Sequence, residues 1–265
     1  MEFYPRNLGG CRLDGSSTVQ GTKGEKISGC FFNQSSFADR AIASERNLVK
    51  VPNDVPLKIM GPLGCGIQTG AGAVINTLKP RPGSSIAVFG AGAVGQAAIM
   101  AAKLTGCATI IAIDIRDSRL ELAREFGATH ILNAAQVDTV EEIRATTGGG
   151  VNFSLECTSL PKVFRQAVES LQIPGTCGLI GAAALGTEVT FEMSSILFGR
   201  TVKGIMQGDC VPDVFVPQLI DFWRQGLFPF DRLIKFYALD DINEAVRASE
   251  SGDVIKPVVR TGLAP

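Results

Sequence analysis

The chain has 265 residues, 45% of them hydrophobic and 19% charged, with a formal charge of −1, which suits a folded globular protein of one large or two smaller domains. Near-neutrality leaves no surplus of cations to neutralise a phosphate backbone, so nucleic acid is not expected as a partner; no run of about 18 apolar residues is present to span a bilayer. Seven scattered cysteines without a CxxC pair suit reduced thiols, and the opening MEFYPRNLGG has no apolar secretory core, so a cytoplasmic location is expected.

The first thirty residues are rich in Gly, Ser and Thr and predict loops and short strands. From Cys30 to Val51 apolar and polar residues alternate loosely, which predicts two or three short strands of a small β module. Lys58 to Leu78 then places a glycine-rich loop, GPLGCGIQTGAGA, ahead of a helical apolar stretch, and Lys79 to Gly83 form a boundary.

Ser84 to Asp114 organises the rest. The apolar run Ile86 to Phe89 predicts a buried parallel strand, and it ends on Gly90, Gly92 and Gly95, the spacing of a dinucleotide-binding turn. In such a turn the first glycine permits the sharp bend, the second lets a pyrophosphate approach the backbone, and the third lets the helix pack on the sheet. A second apolar run, Ala108 to Ile113, ends on Asp114, 19 residues after Gly95 and near the ~20 expected of the acid that binds the adenosine ribose. A carboxylate there repels a 2′-phosphate, which points to NAD over NADP. Arg116 and Arg119 nearby are read as solvated positions.

Strand and helix then alternate: helices at 93–104, 117–126, 139–146 and 162–171, strands at 130–133, 151–157, 178–181 and 202–206. Six parallel strands with crossover helices predict a doubly wound α/β sheet, the Rossmann arrangement. The tail predicts helices at 214–225 and 241–251, the latter capped by Asp240 or Asp241 ahead of Glu244, and a final short strand in VIKPVVR.

GPLGCGIQTGAGAVINTLKPRPGSSIAVFGAGAVGQAAIMAAK and RDSRLELAREFGATHILN resemble the zinc-dependent medium-chain alcohol dehydrogenases, and among them the aryl-alcohol (benzyl alcohol) branch. FFNQSSFADRAIASERNLVKVP, GRTVKGIMQGD and ESGDVIKPVV carry the same resemblance. It implies a remnant of the β-rich, GroES-like catalytic domain at 1–64, an NAD-binding domain at 65–230, and a C-terminal segment, 231–265, returning to the catalytic domain. It also implies that Cys65 is a ligand of the catalytic zinc, that Thr69 stands beside the nicotinamide, that Val94 backs its ring, and that Lys256 pairs with the pyrophosphate.

The resemblance further implies an aryl alcohol or aldehyde as substrate and a homo-oligomer, dimer or tetramer, formed through the last strand of the sheet with help from the apolar residues around Phe228 to Phe230. Family members carry the other two catalytic zinc ligands, the proton relay and a structural zinc lobe in a region that this sequence does not match. The single histidine, His130, falls at a strand start, so Cys65 is expected to hold no zinc stably in this chain. Phe31 and Phe32 are candidate walls of an aromatic pocket, with Ala182, Ile205 and Met206 on the nicotinamide side. Two readings from different classes follow: an NAD-dependent oxidoreductase with impaired zinc chemistry, and a non-catalytic NAD-binding module. A zinc-free, NADPH-dependent quinone reductase fits less well because of Asp114 and Cys65.

Overall fold

A computed structural model describes residues 9–12, 14–17, 19–29, 37–38, 40–41, 43 and 45–262. Phe31 and Phe32 lie outside the described residues, as do residues 30–36, 39, 42 and 44 of the stretch predicted as short strands; its described part holds a 3-10 turn at Glu45–Asn47 and no strand. Two compact units emerge, one of residues 51–234 and one formed by the chain up to Lys50 together with the chain from Lys235 onward.

In the larger unit the apolar runs become one six-stranded parallel sheet: β3 (Ser85–Phe89), β4 (Thr109–Asp114), β5 (His130–Asn133), β6 (Val151–Glu156), β7 (Leu171–Leu179) and β8 (Thr201–Gly204). Their spatial order is β5-β4-β3-β6-β7-β8, so the chain builds outward from β3 on one side and then on the other. The reversal leaves a crevice beyond the carboxyl ends of β3 and β6, where open α/β sheets take their ligands. Register sets those ends level, Phe89 standing opposite both Ile113 and Glu156. Ile86, Ala87 and Val88 are fully buried, which is why β3 is an unbroken apolar run.

The crossover helices are α2 (Ala93–Leu104), α3 (Asp117–Phe126), α4 (Thr139–Thr147) and α5 (Pro161–Glu169), preceded in sequence by α1 (Gly66–Gly72). A core of Ala87, Phe89, Ile111, Ile143, Phe164, Val168 and Leu171 closes one face of the sheet. Beyond the sheet lie the short α6 (Ser194–Leu197) and then α7 (Pro212–Arg224).

Several predicted bounds move. The strand expected at 178–181 begins at Leu171 and runs through Pro174 and Gly175, residues that mimic a loop in sequence. The strand expected at 202–206 ends at Gly204, because Gln207, Gly208 and Asp209 follow as a tight turn with φ of 48°, 71° and 47°. The glycine-rich stretch expected as a loop ahead of a helix is itself helical from Gly66 to Gly72, and it widens into a π-helix over Ala73–Leu78.

The smaller unit holds two two-stranded sheets, β1 (Val19–Gln20) with antiparallel β2 (Lys26–Ile27), and β9 (Ile234–Ala238) with β10 (Lys256–Arg260). Helix α8 (Ile242–Ser251) packs there around Tyr237, Ala245 and Val254. The predicted cap of α8 does not form: a 3-10 turn, Leu239–Asp241, runs straight into the helix, and neither acid makes a side-chain capping bond. Among the described residues no helix is long and apolar enough to cross a membrane.

Candidate dinucleotide site

At the end of β3, Gly90 has φ of +96° and donates its N–H to the Ile113 carbonyl at 2.7 Å, the last rung of the β3–β4 ladder before the chain turns. That left-handed conformation is one that glycine adopts without steric penalty. Gly95 serves proximity instead: a Cβ there would stand 1.8 Å from the Gly90 oxygen, so the first turn of α2 lies directly on the strand end. Gly92, immediately before α2, has ordinary extended angles, and a Cβ on it would meet nothing within 4 Å. The space above Gly92 is thus open, and the free N–H groups of the first turn of α2 and its partial positive charge point into it.

Asp114 ends β4 beside this turn and is only 8% exposed. Its Oδ2 accepts the Ala91 N–H at 2.7 Å, and its Oδ1 accepts those of Ile115 at 2.8 Å and Arg116 at 3.1 Å. Arg119 Nη1 lies 3.8 Å from Oδ2. Three backbone donors keep the carboxylate rigid and leave part of its acceptor capacity for a ribose hydroxyl. Arg119, read from sequence as solvated, is instead partly buried and turned to Asp114.

Helix α1 lies against the same turn. A Cβ on Gly70 would come 1.9 Å from the Val94 oxygen, and one on Gly66 would touch the Val94 side chain at 3.5 Å, so the two helices meet backbone to backbone. Thr69 is 8% exposed, and its N–H bonds the Cys65 carbonyl at 3.0 Å. The far side of α1 rests on the 207–209 turn: Cys210 Sγ donates to Gln68 Oε1 at 3.3 Å, Asn76 Nδ2 to the Gly208 carbonyl at 3.2 Å, and Thr77 Oγ1 to Asp209 Oδ2 at 2.8 Å. Ile205 is buried beside this turn, while Met206 and Ala182 are exposed.

Gly90, Gly92, Val94, Gly95, Asp114, Thr69 and Cys65 therefore all belong to the larger unit, around α1 and α2. Lys256 opens β10 in the smaller unit, half-buried. The residues around the start of α2 suit a dinucleotide. Cys65 is an exposed free thiol at the start of α1, and among the described residues no group of three or more His, Cys, Asp or Glu side chains is placed to hold a metal ion. His130, at the exposed start of β5, pairs its Nδ1 with Thr129 Oγ1 at 2.9 Å.

A zinc-binding dehydrogenase family model matches residues 93–224. Geraniol dehydrogenase of Castellaniella defragrans is 44% identical over 262 residues, an overlap that takes in 98% of this chain and 70% of that protein. The chain belongs to the zinc-binding alcohol dehydrogenases. Among solved structures, benzyl alcohol dehydrogenase from Acinetobacter calcoaceticus superposes with a TM-score of 0.91 at 47% identity, covering 97% of this chain and 70% of that one. An alcohol dehydrogenase zinc-binding domain protein from Burkholderia ambifaria gives the same TM-score at 53% identity, with 98% and 70% coverage.

Two polar residues of this chain escaped the sequence reading. Glu156, fully buried at the end of β6, accepts N–H bonds from Thr158 at 2.5 Å and Ser159 at 3.0 Å and shapes the loop facing Gly90. Gln96, fully buried on α2, donates Nε2 to two carbonyls, those of Ala91 and Arg119. A polar side chain inside a helical or strand pattern reads as solvated unless its partners are visible; those of Glu156 lie in the loop that follows its strand, and one of those of Gln96 lies 23 residues on, in α3.

Proposed function

We propose that this chain binds NAD in preference to NADP, as an oxidoreductase for aromatic or allylic primary alcohols whose alcohol oxidation is impaired within these residues by an incomplete zinc ligand set. The observation that carries the reading is the cradle itself: open space over Gly92, the donor-rich start of α2, and a rigid carboxylate, Asp114, beside it. The relatives named for benzyl alcohol and geraniol supply the substrate class. Bound NAD supplies a hydride acceptor at C4 of its nicotinamide.

In this reading Gly92 leaves room for the pyrophosphate, and the free N–H groups of α2 bind its oxygens. Asp114 takes a ribose hydroxyl. Val94 forms the wall behind the nicotinamide, and the Thr69 hydroxyl lies at its edge. A homodimer in the cytoplasm completes the proposal.

Calorimetric titration with NADH and NADPH, zinc analysis after dialysis and a benzyl alcohol assay test it together. Tighter binding of NADH, less than one equivalent of zinc and turnover at background are expected. Equal affinity for the two cofactors would sink the NAD preference. Stoichiometric zinc, with NADH formation lost in Cys65→Ser, would show that the ligand set is complete after all. The isolation of Cys65 favours a second reading, a non-catalytic NAD-binding module. Added zinc separates the two: a slow rate that rises with the zinc concentration assigns the impaired enzyme, and cofactor binding with no rate at any zinc concentration assigns the module.

A further inference from the structure

Gln96 occupies the second turn of α2 with no exposure to solvent. Its Nε2 donates to the Ala91 carbonyl at 3.1 Å, inside the glycine-rich turn, and to the Arg119 carbonyl at 2.8 Å, in the first turn of α3. Both partners are acceptors, so the amide can face only one way, and its Oε1 is left buried without a donor. Arg119 Nε is likewise buried without an acceptor, although the Arg119 guanidinium reaches to within 3.8 Å of Asp114 Oδ2. Asp114 in turn accepts the Ala91 N–H at 2.7 Å.

These contacts close a ring: Ala91 to Gln96, Gln96 to the Arg119 main chain, the Arg119 guanidinium to Asp114, and Asp114 back to Ala91. The ring ties together the pyrophosphate turn and both charges that meet the adenosine ribose. An uncharged, apolar side chain of the same length would fill the space as well. What it would lose is the hold on the start of α3, and with it the restraint that keeps the Arg119 cation on Asp114 and away from a 2′-phosphate.

We infer that Gln96 is a positioning residue for cofactor selection, acting through Arg119 to hold the site in its NAD-preferring arrangement. The inference rests on the NAD-binding reading above. It is independent of zinc and of turnover, so binding alone tests it.

The full chain and its Gln96→Met variant are titrated calorimetrically with NADH, NADPH and ADP-ribose, alongside thermal melts. The ratio of the NADPH to the NADH dissociation constant is expected to fall about tenfold in Gln96→Met, the size of one net hydrogen bond's effect, with ADP-ribose weakened to the same degree as NADH. In an Arg119→Leu background the same substitution should leave the ratio unchanged, because the group it restrains is gone. A lower melting temperature with an unchanged ratio would mean that Gln96 only braces the fold, and would overturn the inference. Should Gln96→Met fail to fold, Gln96→Leu takes its place with the same expected fall in the ratio, and an unmoved ratio there overturns the inference. Wild-type protein that binds neither NADH nor ADP-ribose would overturn the underlying NAD reading and this one with it; wild-type binding with an unmoved variant ratio overturns this one alone.

Discussion

Two glycines of one motif separate binding from folding at the residue scale. Gly92→Val adds a side chain where no protein atom lies within 4 Å and where the backbone is ordinary extended chain, so the fold should survive. The same side chain occupies the space proposed for the pyrophosphate, and NADH titration should detect no binding. Gly95→Ala does the opposite: its Cβ would meet the Gly90 oxygen at 1.8 Å, and denaturant unfolding should show a loss of about 1–3 kcal/mol, the usual cost of overpacking. Near-parental NADH affinity in Gly92→Val would refute the assignment of the turn. Cys177 carries a different signal. It is buried on β7, and burial pushes its thiol up from 9.0 to about 12. The folded state then keeps a proton that the unfolded chain releases, so this contribution to stability is complete below pH 9 and is lost as pH rises toward 12. The slope from this group is about 1.4 kcal/mol per pH unit inside that window. Unfolding curves of the parent and Cys177→Ala should differ by a constant below pH 8 and converge or cross above pH 9.

Helix and strand positions were largely legible in the sequence because their signals are local. Helix α3 has the bounds predicted for it, and its C-terminal stop, Gly127, takes a φ of 120° that most other residues avoid. The buried strands read as apolar runs for the same reason that they fold as strands. What sequence could not show depends on contacts between elements. Leu171–Leu179 hides a strand behind Pro174 and Gly175; the π-helix at Ala73–Leu78 bonds a turn more than a hundred residues away; Gln96 reads as a solvated helix position until its bond to the Arg119 carbonyl, 23 residues on, is seen. Asp240 and Asp241 show the reverse error, a local capping signal defeated by the 3-10 turn that leads into α8. Asp138 shows the signal fulfilled, its Oδ1 accepting the N–H groups of Val140 at 3.0 Å and Glu141 at 3.1 Å at the start of α4. Asp138→Ala should cost about 1 kcal/mol, read as a lower urea midpoint with an unchanged slope. No change would mean that α4 is held by its packing alone.

Taken as a whole molecule, the sheet has two ends, and they are unlike. β5 closes one end with half-buried residues, whereas all four residues of β8 are exposed, leaving an outer strand edge whose backbone groups are free to pair. Apolar side chains crowd the approach to that edge: Met193 is 88% exposed, Leu197 75% and Phe198 63%. Phe228 and Phe230, expected from sequence to help cover such a seam, are fully buried; their tilted rings meet at a centroid distance of 6.3 Å and Phe230 meets Trp223 at the same distance, so they are core residues of their own chain. We propose that in a dimer paired through β8 the exposed apolar residues of the 193–198 segment, just ahead of β8 in sequence, cover the seam. Pairing of β8 with its own copy about a two-fold axis uses the same patch twice and ends growth at two subunits, as an isologous contact requires. Light scattering at micromolar concentration should give the mass of a dimer, and Leu197→Glu with Phe198→Glu should shift it to monomer, since four carboxylates would then face an apolar seam without partners. Binding of NADH should persist in that monomer, because Gly92, Gln96 and Asp114 are all assembled within one sheet. A parent protein that is monomeric under these conditions would rule out the edge-paired dimer.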